Sequence, residues 1–436
     1  MSIGDNLVVI FLSMPLVILL FYTARKWAHH HRSVKALHEA TEAKMLDPAS
    51  LHPVFDMSQC IGCGACVPAC PEGSVIGLIN RRPHLVNPSS CIGHGACKQA
   101  CPIDAIKLVF GTATRGVDIP FIDPDFQTNI PGIYIAGELG GMGLIKNALT
   151  QGRQAMEAIR KAGRKARPQQ YDVIIVGAGP AGFAATLGAI EAKLKYLTIE
   201  QDSFGGTVAH FPRGKIVMTQ PAVLPLVGRF QLGETSKEAL MAKWRLIAKK
   251  YQVRINTGER MEKIEQDPQG GFVVTTVKGR YATQVVLLAI GRRGTPRQLG
   301  VPGEEKTKVC YRLVDPQQYR GQHVLVVGGG DSALEAAWSI SEEPGTTVTL
   351  SYRSAAFSRA KPKNRQKIEA SEKAGRVRVL FNSHVKQIGE HEVEIRCEDD
   401  TIRIKNDQVI ISAGGILPTK MLKALGVQVD TKYGEE

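Results

Sequence analysis

Cysteine is scarce over most of this 436-residue chain, because seven of the nine cysteines lie between residues 60 and 101 and only Cys310 and Cys397 lie elsewhere. This distribution argues against a disulfide scaffold and indicates a local metal-binding framework in a reducing compartment. Acidic residues are also few, 41 against 55 basic ones, and the net charge of +14 favours anionic partners such as lipid headgroups, nucleotide phosphates or acidic electron carriers. The hydrophobic content is ordinary at 43%, so the chain can bury two or three domain cores.

Charge is absent from residues 7–22, LVVIFLSMPLVILLFY. The run is slightly shorter than the roughly 20 apolar residues that cross a bilayer, but flanking Trp27 and basic side chains extend it. The basic residues follow the run, so the positive-inside rule places the rest of the chain in the cytoplasm. We therefore expect a single transmembrane anchor in the inner (cytoplasmic) membrane at residues 1–24 and a basic juxtamembrane segment at residues 25–50. A cleaved signal peptide is the weaker alternative, because a positive n-region and a small-residue cleavage site are missing.

The cysteine block contains two near-repeats, SQCIGCGACVPACPEG at residues 58–73 and SSCIGHGACKQACPID at residues 89–104. Their spacing, with proline after each last cysteine, resembles that of bacterial two-cluster ferredoxins, in which three closely spaced cysteines hold one cluster and the fourth reaches the other. The resemblance implies a two-cluster ferredoxin domain at residues 51–112. It assigns the first cluster to Cys60, Cys63, Cys66 and Cys101, and three irons of the second to Cys91, Cys97 and Cys70.

His94 stands where the earlier repeat has Cys63, so it faces the fourth iron of the second cluster. Two alternatives stay open. The imidazole could ligate this iron in a 4Fe-4S cluster and raise its potential, as histidine does in Rieske centres, or the iron is absent and the cluster is 3Fe-4S. Zinc is a weaker interpretation, because zinc sites do not need two interleaved cysteine quartets.

A dinucleotide-binding signature follows at residues 171–192, YDVIIVGAGPAGFAATLGAIEA. The glycine loop follows an apolar strand, opens a helical pattern and is followed by a strand that ends at Glu200, which would accept hydrogen bonds from ribose hydroxyls. The three glycines permit a tight turn, let backbone amides approach a pyrophosphate and allow close packing of helix and strand. The loop residues assigned to the cofactor are Gly177, Gly179, Pro180, Ala181 and Gly182.

A second signature at residues 323–340, HVLVVGGGDSALEAAWSI, repeats this pattern and implies a second nucleotide site. The next strand, TVTLSYR, ends without a carboxylate and offers arginine. This combination favours a 2′-phosphate, hence NADPH over NADH, although the arginines could also belong to a solvated basic face. The residues assigned to this site are Gly328, Gly330, Asp331, Ser332, Ala333, Arg353 and Arg359.

Residues 118–436 resemble the thioredoxin-reductase-like flavoproteins, a group that includes disulfide reductases and a class of ferredoxin:NADP reductases. The resemblance implies that the first signature binds FAD, with Gly206 and Thr207 also at the flavin, and that the second binds NAD(P)H. The crossover into the family's inserted domain is similar to residues 287–305, LLAIGRRGTPRQLGVPGEE. The return from that domain is similar to residues 409–422, VIISAGGILPTKML. We expect an FAD-binding domain at residues 168–296, an NAD(P)-binding domain at 297–410 and a return into the FAD domain at 411–436.

The family also has a closing segment that completes the flavin pocket, and nothing of that kind follows Val429. Residues 121–159, upstream, are similar to it, with Gly137 and Glu138 at the flavin and Glu138 where the family usually has aspartate. We therefore expect a circularly permuted flavoprotein with its closing segment at residues 118–165.

Thioredoxin reductases carry a CxxC motif before the second signature, but Tyr311 and Val314 occupy those positions here. A lone Cys310 is more often a small buried apolar side chain than a nucleophile. The predicted fold class is α/β, with two Rossmann-like FAD- and NAD(P)-binding domains preceded by a small α+β ferredoxin-like iron–sulfur domain and one transmembrane helix.

The predicted function is a membrane-anchored NAD(P)H:acceptor oxidoreductase. Electrons would pass between NAD(P)H, FAD and two iron–sulfur clusters, to or from a ferredoxin-like, quinone or cytochrome acceptor. Flavin-centred hydride transfer needs no acid–base residue, so no catalytic side chain is assigned. The alternatives are a small-disulfide reductase that uses Cys310 and a non-enzymatic redox-sensing or adaptor subunit. The expected partners are the membrane and a redox protein or quinone, with no nucleic acid, and a homodimer stays open.

Overall fold

The structure is a computed structural model and describes residues 3–42, 46, 48 and 51–435, except residues 142, 164–165, 212, 219–220, 231–232, 293–294, 314, 358–359 and 399. Side chains are described from residue 16 onward, apart from that of Thr295. The chain divides into two compact units. One runs to Arg115 and includes the C-terminal residues from Gly434, and the other runs from Gly116 to Tyr433.

The first unit contains a long helix and a small α+β domain. Its elements are α1 (Ile3–Glu42), β1 (His52–Phe55), α2 (Cys66–Ala69), β2 (Ile76–Ile79), β3 (Arg82–Leu85), α3 (Ala96–Gln99) and β4 (Ile106–Val109). Strand β1 pairs antiparallel with β4, and β2 pairs antiparallel with β3. Buried cysteines Cys66, Cys91 and Cys97 share the small core with Val75 and Ile106.

Helix α1 continues through residue 24, where the sequence predicted the end of a separate anchor. Neither glycine nor proline interrupts the chain between residues 16 and 42, so the helix has no local reason to stop. Its later turns pack on the β2–β3 hairpin. There the Asn80 amide donates to His30 Nδ1 (3.3 Å), and Ser33 is buried beside Gly77.

The structure does not confirm the predicted transmembrane helix. Within the part of the chain whose placement is described, no helix is both long enough and apolar enough to cross a membrane. The predicted span at residues 7–22 lies within α1, and the side chains of residues 7–15 lie outside the described ones.

The second unit begins with a short segment and a six-stranded sheet. Its elements in this part are β5 (Val117–Pro120), β6 (Ile133–Ile135), α4 (Ile145–Ala162), β7 (Tyr171–Val176), α5 (Pro180–Glu191), β8 (Tyr196–Ile199), β9 (Ile216–Met218), β10 (Ala222–Leu224), β11 (Gly228–Phe230), β12 (Thr235–Ser236), α6 (Lys237–Lys250), β13 (Met261–Gln266), β14 (Phe272–Thr276), β15 (Arg280–Leu288) and β16 (Thr295–Pro296). The sheet order is β13-β14-β15-β7-β8, and β6 also pairs with β15. Strands β6, β7, β8 and β15 are parallel where they pair, and residues 173–176 of β7 form an apolar run that is completely buried, as expected for a parallel strand covered on both faces.

A five-stranded parallel sheet forms the next domain. The remaining elements are β17 (Val309–Cys310), β18 (His323–Val327), α7 (Asp331–Ser341), β19 (Thr347–Ser351), α8 (Pro362–Lys373), β20 (Val377–Leu380), β21 (Ser383–Ile388), β22 (Glu392–Cys397), β23 (Asp400–Lys405), β24 (Gln408–Ile411), β25 (Gly415–Ile416), α9 (Thr419–Ala424) and β26 (Val429–Lys432). The sheet order is β17-β24-β18-β19-β20, with a separate antiparallel sheet of β21, β22 and β23. A mixed sheet with a parallel part and a fully parallel sheet, each joined to helices, agree with the two predicted Rossmann-like domains.

The segment before β7 packs within the second unit. Strand β6 extends the six-stranded sheet, and β5 pairs antiparallel with β26 near the C-terminus. Helix α4 lies against α5 so closely that a Cβ at Gly152 would be 2.1 Å from the carbonyl oxygen of Ala181. Glycine is therefore required where these two helices meet.

Gly152→Val should destabilise the second unit by about 2 kcal/mol, because overpacking a close contact typically costs about 1–3 kcal/mol. Urea denaturation followed by far-ultraviolet circular dichroism measures this change. Gly233→Ala is the matched control, since a Cβ at Gly233 would meet no atom within 4 Å. An unchanged midpoint for Gly152→Val would show that the helices separate at little cost.

Candidate functional site

The first predicted nucleotide loop connects β7 to α5. A Cβ at Gly177, whose φ is +105°, would lie 2.5 Å from the carbonyl oxygen of Ala289, and one at Gly182 would lie 1.8 Å from the carbonyl oxygen of Gly177. Both positions therefore require glycine. Pro180 is the first residue of α5, and Gly179 precedes it without a side-chain cap, which leaves the helix N-terminus suited to an anion.

Glu200 lies beside this loop and is almost completely buried, with 6% of its surface exposed. Its Oε2 accepts a hydrogen bond from the Ala178 amide (2.8 Å), and its Oε1 accepts one from the Asp202 amide (3.0 Å). The carboxylate is thus held at the end of β8 where a ribose would lie in a Rossmann fold.

Gly206 packs between the loop and the carboxylate. A Cβ there would lie 3.2 Å from Gly179 Cα and 3.8 Å from Glu200 Oε2. Thr207 follows in the same short 3₁₀ helix, Gly206–His210. The structure therefore brings together the loop, the carboxylate and the Gly206–Thr207 pair that the sequence assigned to one cofactor.

Gly137 and Glu138, which belong to the upstream segment, lie next to the first nucleotide loop. The Gly137 amide donates to Gln151 Oε1 (2.8 Å), and a Cβ at Gly137 would lie 3.0 Å from Ala181 Cβ. The Glu138 carboxylate lies 4.0 Å from the Cβ position of Gly291. Sequence reasoning assigned no role to Gln151 or Gly291. The sequence could have indicated Gly291, because this glycine follows the apolar strand β15. It could not have indicated Gln151, because nothing in the sequence distinguishes this glutamine from others inside a helix.

The residues around this cradle fit the FAD that the family implies. Backbone at Gly179 and Gly206 lines the cradle, and a side chain at either position would fill it. Glu200 supplies a buried acceptor for hydroxyl groups, and the N-terminus of α5 supplies amides for phosphate.

The second predicted nucleotide loop connects β18 to α7. A Cβ at Gly328, whose φ is +144°, would lie 2.4 Å from the carbonyl oxygen of Ser412. Gly330 precedes α7, Ala333 is buried in the first turn, and Ser332 is exposed. Sequence reasoning missed Tyr352, whose ring would be 2.4 Å from a Cβ at Gly329.

One residue assigned to this site makes contacts that the prediction did not include. Asp331 Oδ1 accepts from the Lys361 amide (2.8 Å) and from Asn364 Nδ2 (2.8 Å), so this carboxylate holds the start of α8. Arg353 is exposed at the end of β19, and Arg359 lies outside the described residues.

Cysteines from both motifs surround one cavity in the first unit. Four thiols line it together with apolar side chains such as Phe55 and Ile106. The cysteines are Cys60, Cys63, Cys66 and Cys101. This is the interleaved set that the ferredoxin resemblance assigns to the first cluster.

The second cysteine set is more deeply buried. Cys91 and Cys97 are buried and Cys70 is half-buried. Burial raises the pKa of the Cys91 thiol to about 11, and the nearby Cys97, Cys70 and Glu72 add to this effect. Burial likewise raises the pKa of Cys66 to about 11.

His94 lies beside an acidic group. Its Nε2 is 3.8 Å from Glu72 Oε1, and both side chains are mostly buried. Among the residues that the structure describes, no three His, Cys, Asp or Glu side chains are close enough to enclose one metal ion. Zinc requires such a compact set, with sulfur about 2.3 Å from the ion. Four thiols that line one cavity without forming such a compact set fit an iron–sulfur core better than a zinc ion.

Cys310 packs as an apolar side chain. It is half-buried against the core of the second α/β domain, and its Sγ lies 3.5 Å from the Tyr319 hydroxyl. Burial raises the pKa of Tyr319, and the neighbouring Cys310 raises it further.

Comparison with known families agrees with this geometry. Residues 174–435 match the family described as pyridine nucleotide-disulphide oxidoreductase, and residues 52–102 match a 4Fe-4S dicluster domain. The chain belongs to the pyridine nucleotide-disulphide oxidoreductase family. It is a flavin-dependent oxidoreductase with an added 4Fe-4S domain, as the sequence predicted.

The proteins that are similar to this chain have names that indicate different activities. Bacilliredoxin reductase Bdr of Bacillus subtilis is 28% identical over 270 residues, which cover 61% of this chain and 83% of the relative. A ferredoxin–NADP reductase of Ignicoccus hospitalis is 31% identical over 268 residues, 60% of this chain and 83% of the relative. A bacillithiol disulfide reductase structure from Staphylococcus aureus has a TM-score of 0.50 at 24% identity, over 60% of this chain and 82% of its own, and shows a shared fold.

Glu200→Ala should weaken FAD binding by roughly 10- to 100-fold, because it removes the buried acceptor and leaves the Ala178 amide without its partner, at about 1–3 kcal/mol. Fluorescence titration of the flavin-free protein with FAD measures the affinity. Asp172→Ala is the control, since Asp172 also accepts a backbone hydrogen bond, from Lys195, but lies outside the loop. Equal affinity in both variants would contradict the assignment of Glu200.

Proposed function

We propose that this protein transfers electrons between NAD(P)H and a one-electron acceptor. Bound FAD would convert between hydride transfer and single-electron transfer, and two iron–sulfur clusters would carry the single electrons. The observation that carries this proposal is the pairing of an interleaved cysteine cavity with an oxidoreductase whose CxxC positions hold Tyr311 and Val314. The relative named ferredoxin–NADP reductase supports it.

The upstream segment serves as the closing segment of the flavin site in this proposal. Gly137 is held at the first loop by Gln151, and Glu138 lies beside Gly291. These contacts support a circular permutation with the closing segment at residues 118–165. The Gly152→Val variant tests it, because loosening α4 from α5 should also weaken FAD binding, whereas Gly233→Ala should leave it unchanged.

NADPH is the preferred nicotinamide donor in this proposal. Arg353 is exposed where the second ribose would lie, and a carboxylate is missing there. The iron–sulfur cofactors in this proposal are one 4Fe-4S cluster and another cluster beside His94.

The membrane is the proposed location of the reaction, with the enzyme domains on the cytoplasmic side of the inner membrane. Residues 16–22 support an anchor, since these apolar side chains of α1 are all exposed. A quinone or a membrane-bound cytochrome would then be accessible as the acceptor.

A small-disulfide reductase is the second candidate function. The relative named bacilliredoxin reductase favours it, and Cys310 is the thiol closest in sequence to the second nucleotide loop. The half-buried position of Cys310 against Tyr319 disfavours it, because a nucleophilic thiol needs access to its substrate.

Anaerobic stopped-flow reduction by NADPH distinguishes the two functions. We expect absorbance loss at the flavin wavelength followed by absorbance loss at the cluster wavelength, and no effect of Cys310→Ser on either rate. If the clusters stay oxidised while Cys310→Ser abolishes reduction of a small disulfide, the second function is correct.

The His94→Ala variant tests the second cluster. If the imidazole binds iron, removing it should release that iron and give a 3Fe-4S signal in the oxidised state by electron paramagnetic resonance. Lys98→Ala is the control, as it lies in the same motif without a metal-binding group. A 3Fe-4S signal already present in the unaltered protein would show that His94 is only a neighbour of the cluster.

A further inference from the structure

The first unit contains an apolar surface that extends around a helix. Each residue from 16 to 22 of α1 is exposed over more than half of its surface, from 54% for Tyr22 to 67% for Phe21. Seven consecutive helical residues point in all directions around the axis. A protein groove covers one stripe of a helix, whereas lipid covers every side, so lipid is the occupant that matches this surface.

The residues after this run match a membrane interface. Trp27 is exposed, and Lys26 places its ammonium group over the Tyr22 ring (4.7 Å). Aromatic and basic side chains favour the headgroup level of a bilayer. The apolar run therefore ends near residue 22 and meets a basic interface.

The β2–β3 hairpin is fixed to the helix just beyond this point. The Asn80 amide donates to His30 Nδ1, and Ser33 Oγ would be 2.5 Å from a Cβ at Gly77. Asn80 and Arg81 connect β2 to β3 at the tip of the hairpin, so the tip contacts residue 30 whereas Gly77, farther from the tip, contacts residue 33. The hairpin tip thus lies toward the apolar end of the helix.

The loop that carries the first cysteines is attached to the same tip. A Cβ at Gly62 would lie 2.5 Å from the carbonyl oxygen of Arg81. Arg82 Nη1 donates to the carbonyl oxygens of Cys60 (2.6 Å) and Met57 (2.8 Å). These contacts place the loop of the first motif at the end of the unit that is nearer to the apolar run.

The surface of this loop is apolar and basic. Ile61 is 63% exposed and Cys63 is exposed, whereas Cys91 and Cys97 of the second motif are buried. Arg81 and Arg82 are exposed around it. The nearest acidic group in the sequence, Asp56, accepts hydrogen bonds from Ser58 and Gln59.

We propose that the first-motif face, defined by Met57, Ile61 and Arg81, lies against the anionic headgroups of the bilayer that holds the apolar run of α1. The first cysteine motif is then at the membrane surface, and the second is directed away from it. This inference rests on the proposed membrane anchor. Exposed isoleucine and methionine contact the acyl boundary, and arginine contacts lipid phosphate.

Photo-crosslinking tests the inference on the full-length, cluster-loaded protein in vesicles of phosphatidylcholine and phosphatidylglycerol. Benzoylphenylalanine replaces Ile61, Gln99 or Phe21, and lipid adducts are measured by mass spectrometry after irradiation. We expect adducts at positions 61 and 21 and none at position 99. Met57 is the second position for the same face if the change at Ile61 impairs cluster loading, which iron content reports.

The outcomes separate the inference from the anchor. Adducts at position 21 without adducts at 61 or 57 would overturn the inference and leave the anchor intact, whereas no adducts at 21 would refute the anchor. Irradiation in membranes of the producing cells adds a further outcome. If positions 61 and 57 form protein adducts in place of lipid adducts there, a partner protein covers this face and the inference is wrong.

Charge reversal supplies a second measurement. Arg81→Glu should reduce the lipid adducts at position 61 by roughly an order of magnitude in phosphatidylglycerol vesicles, because each basic residue near an anionic surface contributes measurably to binding. Lys98→Glu makes the same change of charge in the second motif and should leave the adduct yield unchanged. An equal loss in both variants would indicate general electrostatic attraction and would contradict the oriented face.

Discussion

The close contact between α4 and α5 is the constraint on which the first nucleotide site depends. Gly152 lets α4 approach the backbone of Ala181, and Ala181 lies in the first turn of α5, whose N-terminus would hold the cofactor phosphates. The residue before Gly152 is Gln151, whose side chain fixes Gly137 at the same loop. One glycine in a helix therefore sets the distance between two walls of the site, and these walls come from segments on opposite sides of β7 in the sequence.

The sequence predicted the features that depend on local geometry. Glycine loops after apolar strands and cysteines at ferredoxin spacing carry their own structural requirements, so the sequence alone predicts the roles of Gly177, Glu200 and the ligand set that includes Cys60. Residues whose role depends on tertiary contacts were missed. Tyr352 lies against Gly329 only because β18 and β19 pair. The Asp331 carboxylate accepts a hydrogen bond from Asn364, which lies on another helix.

Burial of the cysteine thiols links assembly of the iron–sulfur clusters to the release of protons. The Cys66 and Cys91 thiols have pKa values raised to about 11, so at neutral pH they would carry protons that iron must displace. Their side chains belong to the small core of the first unit together with Val75 and Ile106. Cluster assembly and packing of this core are thus expected to be coupled, as in other small metal-binding domains.

The pairing of β5 with β26 has a consequence for synthesis of the chain on the ribosome. Residue 119 faces residue 430, and Asn129 exchanges hydrogen bonds with Gly426 and Gln428. Contacts separated by about three hundred residues cannot form until residues 426–432 have emerged, and chains are made at about 5–20 residues per second. The iron–sulfur motifs are complete in sequence by residue 104 and can acquire metal during that interval. Strand β5, which precedes the segment that contributes Gly137, cannot pair until β26 has been synthesised.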